Sequence, residues 1–131
     1  MELIFFPFER VIEINTQILT TEPGMKGAVN IPVLQGALAR IDNAIAYNGL
    51  DDVFEITAKY TASIARGALP DANKRTGLAV GLEYLSLNDY EITLDNDLLA
   101  DAVRDLVTGD INEHDFADIL YSCFSASQNQ A

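Results

Sequence analysis

At 131 residues the chain has the length of one domain, long enough to bury a core of its own. Twenty acidic residues against eight basic ones give a formal charge of −12, which repels a nucleic-acid backbone and argues against direct DNA or RNA binding. A single cysteine, Cys123, excludes an intrachain disulfide; no apolar run approaches a membrane span, and residues 1–7 lack the basic stretch of a secretory signal, so a soluble cytoplasmic protein is expected.

Helical spacing dominates and no segment alternates as a set of strands would, which predicts an all-α domain over residues 1–131. A first helix is expected over 7–20, with Phe8, Val11, Ile12, Ile14 and Ile18 at its apolar positions. It stops before Glu22-Pro23-Gly24, and an irregular stretch follows through Gly27. The second helix has Asn30 as its cap, Pro32 in the first turn and a stripe of Leu34, Leu38, Ile41 and Ile45. The third runs from Asp51 or Asp52 to Arg66. Its apolar face is wide, with Val53, Thr57, Tyr60 and Ile64 on one edge and Phe54, Ala58 and Ala65 beside them, as befits a central helix.

Pro70 interrupts the helical pattern and biases Leu69 away from helical angles, leaving Asp71 placed to cap the next helix. That fourth helix, over 72–87, is expected to turn Leu78, Leu82 and Leu85 toward the core. Gly77 and Gly81, each about 1 kcal/mol worse than alanine in a helix, would be offset by close approach of the third helix. Asn88-Asp89-Tyr90 closes it, and residues 91–94 are extended, at most a short β stub. A fifth helix over 96–108 uses Leu98, Leu99, Ala102, Val103, Leu106 and Val107, and Gly109 ends it. The sixth is capped by Asn112, carries Glu113 and Asp115 in its first turn, and presents Phe116, Ile119, Leu120, Cys123 and Phe124 on one face. Cys123 reads as core and His114 as solvated surface; residues 125–131 read as a polar, frayed tail.

The chemistry is concentrated between Gly67 and Thr76. Asp71 can hold a divalent cation, and Asn73 can hydrogen-bond a phosphate oxygen. Lys74 and Arg75 neutralise charge where the free N–H groups of a helix start would point at an anion. Arg66, Lys74 and Arg75 are three of the eight cations, so this is a local positive pocket on a negative body, suited to ATP. For an arbitrary Lys-Arg pair, decoration of a helix surface would be the better reading; the preceding Asp71-Ala72-Asn73 reverses it. No proton acceptor for an attacking hydroxyl is present in the stretch.

The run Asp71-Ala72-Asn73-Lys74-Arg75-Thr76 resembles the second half of the Fic/Doc signature, His-x-Phe-x-Asp-Ala-Asn-Lys-Arg, in its death-on-curing (Doc) branch. The likeness extends to Asp52-Val53-Phe54-Glu55, Tyr60, Ala65-Arg66-Gly67, Leu82-Glu83-Tyr84-Leu85, Asn88 and Thr108-Gly109-Asp110-Ile111, and so covers nearly the whole chain. It implies a compact Fic/Doc bundle acting as the toxin of a toxin-antitoxin pair. Phosphate or AMP would pass from ATP with Mg²⁺ to a hydroxyl on a protein of the translation machinery, under the control of a cognate antitoxin. Phosphate is the group transferred in the Doc branch. By the same resemblance Asp71 would hold Mg²⁺, Asn73 and the helix start would cradle phosphates, Lys74 and Arg75 would grip the rest, and Arg66 would assist.

The catalytic position departs from the family. Counting back four residues from Asp71 reaches Gly67 where the family has its histidine, and Leu69 stands at the Phe position. A one-residue deletion would instead align Arg66-Gly67 with the Arg-Gly that precedes the histidine in Doc, leaving no histidine at all. Either way the base is missing, and the single histidine, His114, falls in another predicted helix. A degenerate enzyme and a deliberate replacement would both put glycine there; the intact Asp71, Asn73, Lys74 and Arg75 favour replacement. Ala79 also stands where Doc carries an asparagine one turn beyond the motif. A pseudoenzyme that binds an antitoxin or a nucleotide without chemistry is the alternative reading, and a nucleotide sensor a third.

Overall fold

The computed structural model describes residues 5–21, 29–67, 69, 71–93 and 97–128. Six α-helices account for most of them: α1 (Phe8–Thr21), α2 (Ile31–Tyr47), α3 (Val53–Ala65), α4 (Asn73–Leu87), α5 (Asp97–Thr108) and α6 (Glu113–Gln128). No strand occurs among the described residues, so the all-α expectation holds. Residues 91–93 are irregular, and the Thr93 N–H donates to Ser127 Oγ at 3.0 Å rather than to a neighbouring strand. Leu94, Asn96, Pro70 and residues 22–28, on which other expectations fell, lie outside the described residues.

Helix starts follow the capping chemistry. Asn30 accepts a bond from the Val33 N–H, and Asp52 accepts from the N–H groups of both Phe54 and Glu55. At α6 the pairing is reciprocal: Asn112 Oδ1 accepts from the Asp115 N–H at 2.8 Å, and Asp115 Oδ2 accepts from the Asn112 N–H at 3.0 Å. The Ser127 hydroxyl donates back to the Cys123 carbonyl, so α6 persists to Gln128 instead of fraying from residue 125.

Helix α3 is the centre of the bundle. Ten of its thirteen residues are buried, and its most extensive packing is with α4. Where the two cross, a Cβ on Gly77 would sit 2.8 Å from the Thr61 carbonyl oxygen, and one on Gly81 would collide with Thr61 Oγ1. The Thr61 hydroxyl also donates to the Gly77 carbonyl at 2.9 Å. The glycine pair thus permits the close approach expected of it. Of the three leucines expected in the core only Leu85 is fully buried; it shares the buried face with Thr76, Gly77, Val80, Gly81 and Tyr84, while Leu78 and Leu82 are half-buried on the flanks. Small residues define the contact because they let the backbones meet, which leaves those two leucines to fill its edges. Leu98 of α5 is likewise 61% exposed, outside the buried row of Leu99, Ala102, Val103 and Leu106.

Helix α1 packs against α4 and is tied to it by Arg10, whose Nε and Nη2 donate to the two carboxylate oxygens of Glu83 at 2.7 and 2.6 Å. This bond holds the Glu83 carboxyl below its ordinary range. The buried polar residue of α1, Asn15, reaches the start of α4 instead.

Candidate nucleotide-binding site

The end of α3 and the start of α4 face each other across a cavity of about 470 Å³ lined by Ala65, Arg66, Gly67, Asp71, Ala72, Asn73, Lys74 and Arg75. All six residues singled out by the sequence, Arg66, Gly67, Asp71, Asn73, Lys74 and Arg75, therefore line one cleft. The α3 wall ends with Arg66 as C-cap, and Gly67 follows at φ 109°, with its N–H bonded to the Ile64 carbonyl. That is the left-handed region in which glycine stops a helix at no steric cost.

The α4 wall starts differently from expectation. Asp71 is not the cap: Ala72 is, in a left-handed conformation at φ 59° and ψ 32°, with no side chain capping the helix. Asp71 sits one residue earlier, and its Oδ1 accepts from the Ala72 N–H at 2.7 Å. An alanine in this region costs on the order of 1–2 kcal/mol, so the surrounding bonds must hold it there. Asn73 supplies two of them, its Oδ1 accepting from the Leu69 N–H at 3.1 Å and its Nδ2 donating to the Leu69 carbonyl at 3.3 Å. The Asn73 amide thus shapes the loop with one acceptor and one donor site and keeps one of each for another partner.

Asn15 supplies the remainder. It is 2% exposed, and its Nδ2 donates to the Asp71 carbonyl at 2.9 Å and to Thr76 Oγ1 at 3.1 Å, so that α1 clamps the loop from behind. This residue escapes a motif search; the available signal was a lone amide four residues after Val11 in an apolar row.

The electrostatics of the α4 start are inverted. A helix N-terminus favours acidic side chains, yet the first turn of α4 holds none and carries exposed Lys74 and Arg75 instead. With no capping side chain, the first-turn N–H groups and both cations add up to a site for an anion of high charge. Asp71 supplies the carboxylate in the cleft. Among the described residues no cluster of three His, Cys, Asp or Glu side chains could cage a metal. One carboxylate beside a cationic helix start could hold Mg²⁺, which is ordinarily bound by one or two carboxylates together with substrate phosphates.

Nothing lining the cleft can act as an imidazole base. His114 lies on α6, 69% exposed, with Nδ1 at 2.5 Å from Glu55 Oε1; that bond and the nearby Asp118 raise its pKa. Arg66 is paired too, with Nη1 at 3.3 Å from Glu113 Oε2.

No family model matches the chain. Among curated proteins, the chain is 29% identical over 121 residues to the protein kinase doc of Escherichia phage P1, a match covering 92% of this chain and 95% of that protein. The likeness is to Doc. So few residues fall outside the match that its span takes in both walls of the cleft.

Proposed function

We propose that this chain is a Doc-type toxin homologue that binds ATP with Mg²⁺ between α3 and α4 and lacks the base for efficient transfer. The observation that carries the reading is the inverted first turn of α4: two exposed cations and uncapped N–H groups, unfavourable for the isolated helix, beside a single carboxylate. A polyphosphate with its metal offsets that arrangement. Asp71 would hold Mg²⁺, Lys74 and Arg75 the phosphates, and Arg66 the outer edge of the cleft. When bound, the metal would neutralise charge developing on the transferred group. By the resemblance to the Doc branch, a cognate antitoxin would hold the chain in check and a hydroxyl on a translation protein would be the acceptor.

The pseudoenzyme reading has support from Gly67. At φ 109° it performs the work of a helix-ending glycine, which favours the alignment in which a residue has been deleted after Gly67 and no histidine was replaced by it.

Calorimetry with ATP and Mg²⁺ tests the binding. Affinity should fall about tenfold or more in Lys74→Ala and in Asp71→Ala, each of which removes a charge-assisted contact. Unchanged affinity in both variants would move the nucleotide elsewhere.

A further inference from the structure

Five of the eight lysines and arginines in this acidic chain line two adjoining cavities. The second cavity, of about 460 Å³, shares Arg66 and Gly67 with the first and adds Arg40 from α2, Lys59 and Ser63 from α3, and Glu113 from the start of α6. Aliphatic α2 residues, among them Ala37 and Ile41, complete its lining.

The charges in this cavity do not balance. Glu113 is divided between Lys59 Nζ at 3.0 Å and Arg66 Nη1 at 3.3 Å, and Arg40 has no carboxylate partner among the described residues. Three cations around one carboxylate repel one another. On a body with charge −12, where carboxylates are abundant, that surplus marks a place for an anion from outside. Arginine forks and a lysine suit a tetrahedral oxyanion, and the Ser63 hydroxyl adds a donor.

We propose that the second cavity is a phosphate subsite in its own right, separated from the α4 helix start by Arg66. Its phosphate has two chemical sources: free inorganic phosphate, or a second phosphate on a nucleotide whose first phosphates lie at α4. The subsite shares Arg66 and Gly67 with the nucleotide cleft but includes no residue of the α4 start, so it stands if the nucleotide reading fails.

The test uses the full chain and its backbone amide NMR spectrum, titrated with inorganic phosphate. Phosphate should shift the Lys59 and Ser63 amides. Arg40→Ala, a change at an exposed position that the fold tolerates, should weaken that response about tenfold, and Arg40→Lys should restore part of it. Adenosine 3′,5′-bisphosphate binding more tightly than AMP, with the gain lost in Arg40→Ala, identifies the second phosphate as one carried by the nucleotide. Equal binding of the two, with the Arg40-dependent phosphate response intact, identifies free phosphate. Phosphate shifts confined to residues 73–75, or a Ser63 response unchanged in both Arg40→Ala and Lys59→Ala, would overturn the subsite. Loss of ATP binding in the presence of an Arg40-dependent phosphate response would sink the nucleotide reading and leave the subsite standing.

Discussion

The side-chain amide of Asn15 reaches from α1 to the backbone carbonyl of Asp71 at 2.9 Å and thereby fixes the turn on which α4 begins. Replacing it with leucine should destabilise the protein by about 1–3 kcal/mol, because the Asp71 carbonyl and the Thr76 hydroxyl lose a buried donor. ATP affinity should fall as well, although Asn15 does not line the cleft. Denaturant unfolding and calorimetry on Asn15→Leu check both; full affinity in a destabilised protein would mean that the turn holds its shape without the clamp.

Glycine substitutions should separate by position. Gly77→Ala drives a methyl group toward the Thr61 carbonyl, a backbone atom with little freedom to move, and should cost about 1–3 kcal/mol. Gly36→Ala, where a Cβ meets only the Arg40 guanidinium at 3.9 Å, should stabilise by about 0.4–1 kcal/mol. Thermal melts of the two variants side by side decide it, and equal shifts would refute the tight α3–α4 crossing.

Restoring the base requires an insertion rather than a substitution. Gly67→His forces a residue with a Cβ into φ 109°, whereas a histidine inserted between Gly67 and Ala68 keeps the helix-ending glycine and recreates the His-x-x-x-Asp spacing ahead of Asp71. An imidazole with its ordinary pKa near 6.5 can accept a hydroxyl proton at neutral pH. The insertion variant should arrest growth on expression and the unaltered chain should not, with Gly67→His weaker than the insertion. A folded, ATP-binding insertion variant that leaves growth and labelled-phosphate transfer at background would favour the pseudoenzyme.

Stability should also depend on pH through His114. Its folded-state pKa is raised above 6.5, chiefly by the bond to Glu55, so the stabilisation is fully present below 6.5 and is lost as pH rises through the folded value. The stability gap between the wild-type chain and His114→Gln should therefore be wider at pH 5.5 than at pH 8. A gap that stays constant across this window would mean that the pair does not form in solution. The ring is exposed, and solvent screening keeps the effect small.

Helix boundaries were legible wherever the signal is local. Asn30, Asp52 and Asn112 each mark a start through bonds to residues two or three positions on. The start of α4 was misread because Asp71 is a good capping residue by type, while Ala72, a poor one, holds the position through bonds from Asn15 and Asn73 made in three dimensions. Leu78 and Leu82 misled for a related reason: hydrophobicity points to the core, but the two glycines set which face touches α3. The six motif residues were legible as a cluster because they are adjacent in sequence. Arg40 and Lys59 were not, since they reach the adjoining second cavity only through the packing of α2 against α3.

The glycine crossing of α3 and α4 has one more consequence. The two walls of the cleft extend from ends of helices whose backbones are locked in register only a turn or two away, so their separation is set before any ligand arrives. Binding to so rigid a frame sacrifices little chain motion. Loosening the crossing at Gly77 or Gly81 would then surface in a titration as a larger entropic penalty, with every ligand-facing side chain still in place.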